Sequence, residues 1–116
     1  MAHSGSCHCG RIAFTVDGEV AQAIDCNCSM CRRRGSLLAF FPRDAFTLTS
    51  KAGDYGTYRF NTERIAHHFC PDCGVAPFSE ATDPKSGQPM VAVNVRCLDG
   101  VDLAALQVHH YDGARL

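Results

Sequence analysis

The chain has eight cysteines in 116 residues, and their spacing suits metal binding. They stand as Cys7-x-Cys9, Cys26-x-Cys28-x-x-Cys31, Cys70-x-x-Cys73 and a single Cys97. Sulfurs two or three residues apart in a turn can aim at one point, whereas a disulfide between them would close a small, strained ring. Zinc takes thiolates at about 2.3 Å in a tetrahedron, and two short clusters from distant parts of a chain supply that geometry. Cys70-Pro-Asp-Cys73 has the form of a zinc knuckle: Pro71 stiffens the turn, and Gly74 permits the positive φ that lets backbone amides face the sulfurs. Cys7 and Cys9 are the complementary pair, so a four-sulfur site would tie the start of the chain to its far half.

Cys26, Cys28 and Cys31 then remain, three ligands within six residues. Three protein ligands leave a tetrahedral zinc with one position for water or a substrate thiol, which distinguishes a catalytic zinc from a structural one. Cys97, His67, His68, His109 and His110 are the residues that could close the site instead. Cys97 otherwise suits a buried small side chain. Arg32, Arg33 and Arg34 follow directly. Guanidinium groups grip carboxylates with two prongs, so this run beside an open metal points to an anionic ligand that brings carboxylates. The same run could equally be a solvated basic turn that offsets thiolate charge. His8, between two ligands, is expected at the surface, and Asp25 is expected as a hydrogen-bonded turn residue, the alternatives being a hydrogen-bond acceptor behind the second cluster or a general base.

These groups must be positioned by a small scaffold. The length suits one domain, residues 1–116. A hydrophobic content of 46% with 20% charged residues is that of an ordinary globular protein. The longest apolar run, Leu37 to Phe41, is far short of the roughly 20 residues of a membrane helix, and no secretory leader is evident at Met1 to Gly10. The expected setting is therefore the cytoplasm, where thiols stay reduced. A formal charge of -1 offers no general attraction to nucleic acid or membrane.

Periodicity predicts an all-β fold. Ile12, Phe14 and Val16 alternate with polar or small residues, and Asp17-Gly18 suggests a hairpin turn into a strand over Val20 to Ile24. Ser36 to Phe41, Phe46 to Thr49, Thr57 to Phe60 and the row Val91, Val93, Val95 are further strands. Asp102 to Leu106 suits a single helical turn, and Thr82 to Pro89 a mobile loop. Phe40, Phe41, Tyr58, Phe60, Phe69 and Phe78 are candidate core. The pairs His67-His68 and His109-His110 are expected to alternate between core and solvent.

Taken together, Gly5-Ser-Cys-His-Cys-Gly10, the group Cys26-Asn-Cys-Ser-Met-Cys31 with Arg32-Arg33, and His68-Phe-Cys-Pro-Asp-Cys-Gly74 ending at Phe78 resemble the glutathione-dependent formaldehyde-activating enzyme family, which includes centromere protein V. Leu98-Asp99-Gly100 is similar to that family's closing segment. The resemblance implies a zinc-binding β-tent fold of several short twisted antiparallel sheets, shared with a chaperone of Rab GTPases. It implies a structural zinc at Cys7, Cys9, Cys70 and Cys73 and a catalytic zinc at Cys26, Cys28 and Cys31. It also implies a carbon–sulfur lyase that forms or cleaves S-hydroxymethylglutathione from glutathione and formaldehyde. The alternative is a non-catalytic zinc module that binds glutathione or a protein partner. Position 27 departs from the family: it is Asn where many relatives carry His, and an amide cannot act as an acid or base near pH 7.

Overall fold

The computed structural model of the chain describes residues 2–50, 55–59 and 65–112. Strands dominate these residues, as the alternating patterns require: β1 (Ala2–Ser6), β2 (Ala13–Asp17), β3 (Gln22–Cys26), β4 (Leu38–Pro42), β5 (Phe46–Leu48), β6 (Gly56–Tyr58), β7 (Ala66–Phe69), β8 (Phe78–Thr82), β9 (Pro89–Asn94) and β10 (Gln107–Tyr111). One short helix, α1 (Ser29–Arg34), links β3 to β4. The expected helical turn is present as a 3₁₀ turn at Leu103–Ala105, capped by the Asp102 carboxylate. No helix among the described residues is long and apolar enough to cross a membrane.

The strands form two open sheets. One has the order β1-β2-β5 and the other β10-β3-β4-β9-β8-β7-β6. All pairs are antiparallel except β10 with β3, which is parallel. This all-β architecture is the expected class, with that pair correcting the purely antiparallel expectation.

The hairpin expected at Asp17-Gly18 does not form. Both edges of β2 are taken, by β1 and by β5, so the turn carries the chain out of the small sheet and into the large one. The physical reason is burial. Ile12, Phe14 and Val16 all lie in the core, facing the large sheet rather than extending it.

That core is an aromatic contact between sheets. Phe14 of β2 stacks on Phe46 of β5 at 5.0 Å between ring centroids, and Phe46 meets Phe78 of β8 at 4.7 Å. Val91, Val93 and Val95 close it from below at 0% exposure, and Cys7 and Cys70 are part of the same buried cluster. Burying an aliphatic or aromatic side chain of this kind contributes about 1.5–3 kcal/mol.

Other aromatic expectations divide by strand face. Phe41 and Phe78 are buried, but Phe40 is 55% exposed and Tyr58 49%. Phe40 points away from the core because its neighbours Ala39 and Phe41 point in. Its face opens into a groove of about 400 Å³ with Ile24, Leu38 and His109, since β3 and β4 share a single register pair, Ile24 with Leu38. Phe69 is half-buried, and Phe60 lies outside the described residues. The segment expected to be mobile, Thr82 to Pro89, is a hairpin loop closed by Asp83 N–H to Gln88 O and Gly87 N–H to Asp83 O, both 2.8 Å.

Gly5 is required by close approach. A Cβ there would lie 2.6 Å from the Phe14 ring and 2.9 Å from the Cys97 carbonyl. Gly5→Ala should therefore lower unfolding free energy by about 1–3 kcal/mol, the usual cost of overpacking, through a shift of β1 that carries Cys7 with it. Urea titration checks this: an unchanged midpoint would show that β1 has room to move.

Candidate metal centres

Two knuckles of like construction meet at the first centre. In one, Cys7 N–H donates to Ile12 O (3.0 Å) and Gly10 N–H to Cys7 O (3.3 Å); in the other, Cys70 N–H donates to Val75 O and Gly74 N–H to Cys70 O, both 2.9 Å. Gly10 and Gly74 turn the two chains with φ of 85° and 80°. Amides also face the sulfurs, from Ile12 to Cys7 Sγ (3.3 Å) and from Cys73 to Cys70 Sγ (3.4 Å). The four sulfurs lie within 4.8 Å of one another, with Cys7 to Cys9 at 3.8 Å and Cys9 to Cys70 at 3.5 Å. A tetrahedron with metal–sulfur bonds of about 2.3 Å has edges of about 3.8 Å, so the spacing fits a metal ion. Arg11 and Asp72 bridge the knuckles on the outside at 2.8 Å, an exposed pair of small energetic weight.

The electrostatics fit the same donor set. The Val75 amide, followed by the Cys9 amide, pulls the Cys73 thiol down to about 6. Cys9 is pushed up to about 12: the Arg11 amide lowers it, but Cys70, burial, Cys7 and Cys73 together outweigh that. One sulfur readily carries charge and the next resists a second charge beside it. A divalent cation removes that conflict.

The second centre is built on the end of β3 and the start of α1. Cys26 ends the strand, and Cys28 caps the helix, its sulfur accepting the Cys31 N–H at 3.4 Å. The Cys28 N–H in turn faces Cys26 Sγ at 3.5 Å. The three sulfurs lie within 4.8 Å of one another, and among the described residues no fourth histidine, cysteine or carboxylate joins them. Burial, then Cys28, pushes Cys31 up to about 12. Burial likewise raises Cys26. Burial opposes ionisation of Cys28 too, yet the Cys31 amide and thiol hold it below the ordinary thiol value.

Four of the five candidates for a fourth ligand are placed elsewhere. Cys97, half-buried, is pushed up to about 11 by burial and then by Cys7 and Cys73, which puts it beside the first centre. His68 Nδ1 meets Thr57 Oγ1 and its Nε2 meets Glu80 Oε1, each at 2.8 Å. His109 engages Gln22 at 3.1 Å and His110 engages Asp25 at 3.3 Å. Asp25 is thus a strand residue with a cross-strand partner, not a turn residue. His67 lines a cavity beside Cys31. His8 is exposed, as expected.

The two histidine pairs do not alternate as predicted. His67 and His68 are both buried, at 8% and 5% exposure, because β7 is covered on both faces: His68 packs on Phe78 and Tyr55, while His67 shares the cavity of the other face with α1. His109 and His110 are both exposed.

The arginines separate into different roles. Arg33 donates to the Ser29 carbonyl at 3.0 Å, closing its own helix. Arg34 stands over Cys31: burial lowers its guanidinium, and the nearby thiol opposes that. Arg32 is exposed. Asn27 is directed to the end of β10, its Nδ2 donating to Asp112 Oδ1 at 3.0 Å and its N–H to Tyr111 O at 3.1 Å. Ser36 and Asn94, buried polar residues that border the cavity with Cys31 and Arg34, have no motif that would announce them in the sequence.

Comparison with known proteins gives a consistent picture. Residues 2–113 match the family described as glutathione-dependent formaldehyde-activating enzyme. A curated Penicillium rubens protein named for that activity is 33% identical over 97 residues, which are 77% of this chain and 50% of that protein. The chain thus spans half the length of this relative. A crystal structure of a Rhodobacter sphaeroides protein superposes with a TM-score of 0.76 at 29% identity, covering 94% of this chain and 100% of that one.

The different ligand sets, four sulfurs that include the core residues Cys7 and Cys70 against three at a strand end, set an expected outcome. Cys73→Ser should abolish metal at the first centre and unfold the domain, since a structural zinc contributes an apparent ~10–16 kcal/mol. Cys28→Ser should leave far-ultraviolet circular dichroism intact and remove one metal equivalent. Metal quantification with dichroism on both variants checks this, and equal loss of structure would contradict the difference between the centres.

Proposed function

The chain belongs to the glutathione-dependent formaldehyde-activating enzyme family, and from that premise we propose that it is a zinc enzyme of carbon–sulfur lyase type, making or cleaving S-hydroxymethylglutathione. Residues 1–116 act as one metal-binding domain, with a structural zinc held by Cys7, Cys9, Cys70 and Cys73 and a second held by Cys26, Cys28 and Cys31. The observation that carries the reading is the three-sulfur cluster whose last member, Cys31, borders both Arg34 and a buried polar cavity. Cys26, Cys28 and Cys31 would hold the metal, which when bound would stabilise a substrate thiolate at neutral pH. Zinc suits these all-sulfur donor sets in a small fold that surrounds them with backbone amides.

Glutathione carries two carboxylates and one thiol. Arg34, which lines the cavity beside Cys31, and the exposed Arg32 on the same helix are guanidinium groups for a carboxylate, while Arg33 steadies the helix that holds all three. The thiol sulfur would take the position that the three cysteines leave, beside the cavity that Cys31 lines. Orientation is then the chain's main contribution, because a thiol and an aldehyde already react readily and holding them together reduces the entropic barrier. Asn27, tied to Asp112, serves to fix the end of β3 against β10 rather than to move protons. Eight unpaired thiols suit the reducing cytoplasm.

Cobalt in place of zinc makes the coordination shell visible. Titrating glutathione into the cobalt protein should change the ligand-field spectrum at the second centre, with Arg34→Ala weakening apparent affinity by about tenfold, as expected for loss of one charge-assisted contact. A spectrum that stays constant at saturating glutathione would exclude sulfur entry and favour a module without thiol chemistry.

A further inference from the structure

The second centre stands on a lightly buried part of the chain. Helix α1 has no buried residue, β10 is exposed along its whole length, and β3 buries only Ala23. A helix of six residues does not hold itself together in water, and β10, at the end of its sheet, is paired among the described residues with β3 alone. β3 in turn meets β4 at one register pair. Regions with little apolar burial open at low free-energy cost, so the trio depends on polar links for its shape.

Those links run between β10 and the segment that leads into the trio. His109 meets Gln22 at 3.1 Å and His110 meets Asp25 at 3.3 Å. The last link falls between two ligands. Asn27 N–H donates to Tyr111 O at 3.1 Å, and Asn27 Nδ2 donates to Asp112 Oδ1 at 3.0 Å. The next amide, that of Cys28, faces Cys26 Sγ at 3.5 Å. Asn27 is thus gripped at main chain and side chain, and its φ and ψ set the angle at which Cys26 and Cys28 present their sulfurs. The pair with Asp112 is exposed, so its effect is directional: it orients Asn27 rather than burying it.

We infer that Asp112 is a positioning residue for the second centre, and that ion binding by Cys26, Cys28 and Cys31 and the docking of β10 on β3 strengthen each other. The inference rests on the trio holding a metal ion, as proposed above, and is independent of the thiol and the aldehyde. The physical basis is linkage. With β10 docked, Asn27 keeps the sulfurs that flank it near that of Cys31, all three within 4.8 Å of one another, as a shared ion requires. With β10 released, the turn from Cys26 to Cys28 loses the bonds to Tyr111 and Asp112, and an ion must first order it. An ion that prefers the docked form stabilises that form by the same factor that docking adds to its affinity. The last strand is therefore a latch that metal loading closes.

The test uses the full chain with zinc alone as ligand. The first equivalent of zinc is loaded, and the second is then titrated against a competing chelator. Asp112→Ala should weaken binding of the second equivalent about tenfold, the lower end for residues that orient metal ligands from behind, and leave the first unchanged. Asp112→Asn should stay within about twofold of the parent, because its carbonyl oxygen accepts the same N–H. Hydrogen exchange gives the reciprocal readout. Adding the second equivalent to the parent should slow the β10 amides that pair with β3 about tenfold, within the usual range of coupling between sites, with the amides of β8 and β9 unmoved. The inference is overturned by an Asp112→Ala variant that keeps its second-equivalent affinity, by an Asp112→Asn variant as weak as Asp112→Ala, or by β10 amides that exchange alike with one and two equivalents; in each case the metal reading of the trio stands. A parent that takes up one equivalent only overturns both. If Asp112→Ala does not fold, exchange in the parent decides.

Discussion

Four sulfurs from two knuckles, 61 residues apart at their closest pair, must converge on one point at the edge of the core. This convergence organises the rest. It fixes the exit of β1 against the exit of β7 and so sets the small sheet on the large one, with Phe14, Phe46 and Phe78 filling the space between. Cys7 and Cys70 are themselves buried members of that core. Without an ion, sulfurs this close resist sharing charge, as the opposite displacements of Cys9 and Cys73 express. The packing that a small domain obtains from the hydrophobic effect is thus joined to coordination chemistry at the same residues.

The second cluster differs in its place and in its ligand count. It sits at a strand end and on a six-residue helix rather than in the core. Its three cysteines are half-buried, and among the residues that could have closed it His68, His109 and His110 are engaged in other contacts. What it borders instead is a polar cavity under α1. The helix therefore has two tasks, carrying ligands on one side and covering β7, β8 and β9 on the other. That cover explains why two successive histidines in one strand are both removed from water.

Some of this was legible in the residues and some was not. Ligand spacing is a local property, so the grouping of Cys7, Cys9, Cys70 and Cys73 and the separate trio followed from positions alone. Alternation located most strands because each has one face on the core. The failures share a cause: they concern which surface covers a face, a tertiary matter. Asp17-Gly18 has the chemistry of a hairpin, but β2 had no free edge for β3. Phe40 has the composition of a core residue, but its neighbours take the core side. Helix α1 is too short for a 3.6-residue period to show. Ser36 and Asn94 come together with His67 only through sheet register and the roof of α1.

The parallel pairing of β10 with β3 has a consequence for how the second centre keeps its shape. β3 holds β4 by one register pair, so its alignment depends on β10, which sets Tyr111 opposite Cys26 and receives the Asn27 amide. The trio therefore takes its bearing from a strand about eighty residues away along the chain, and a slip of one residue between β10 and β3 would turn Cys26 to the opposite face of the sheet. The seam between these two strands is the hinge on which the geometry of the trio turns.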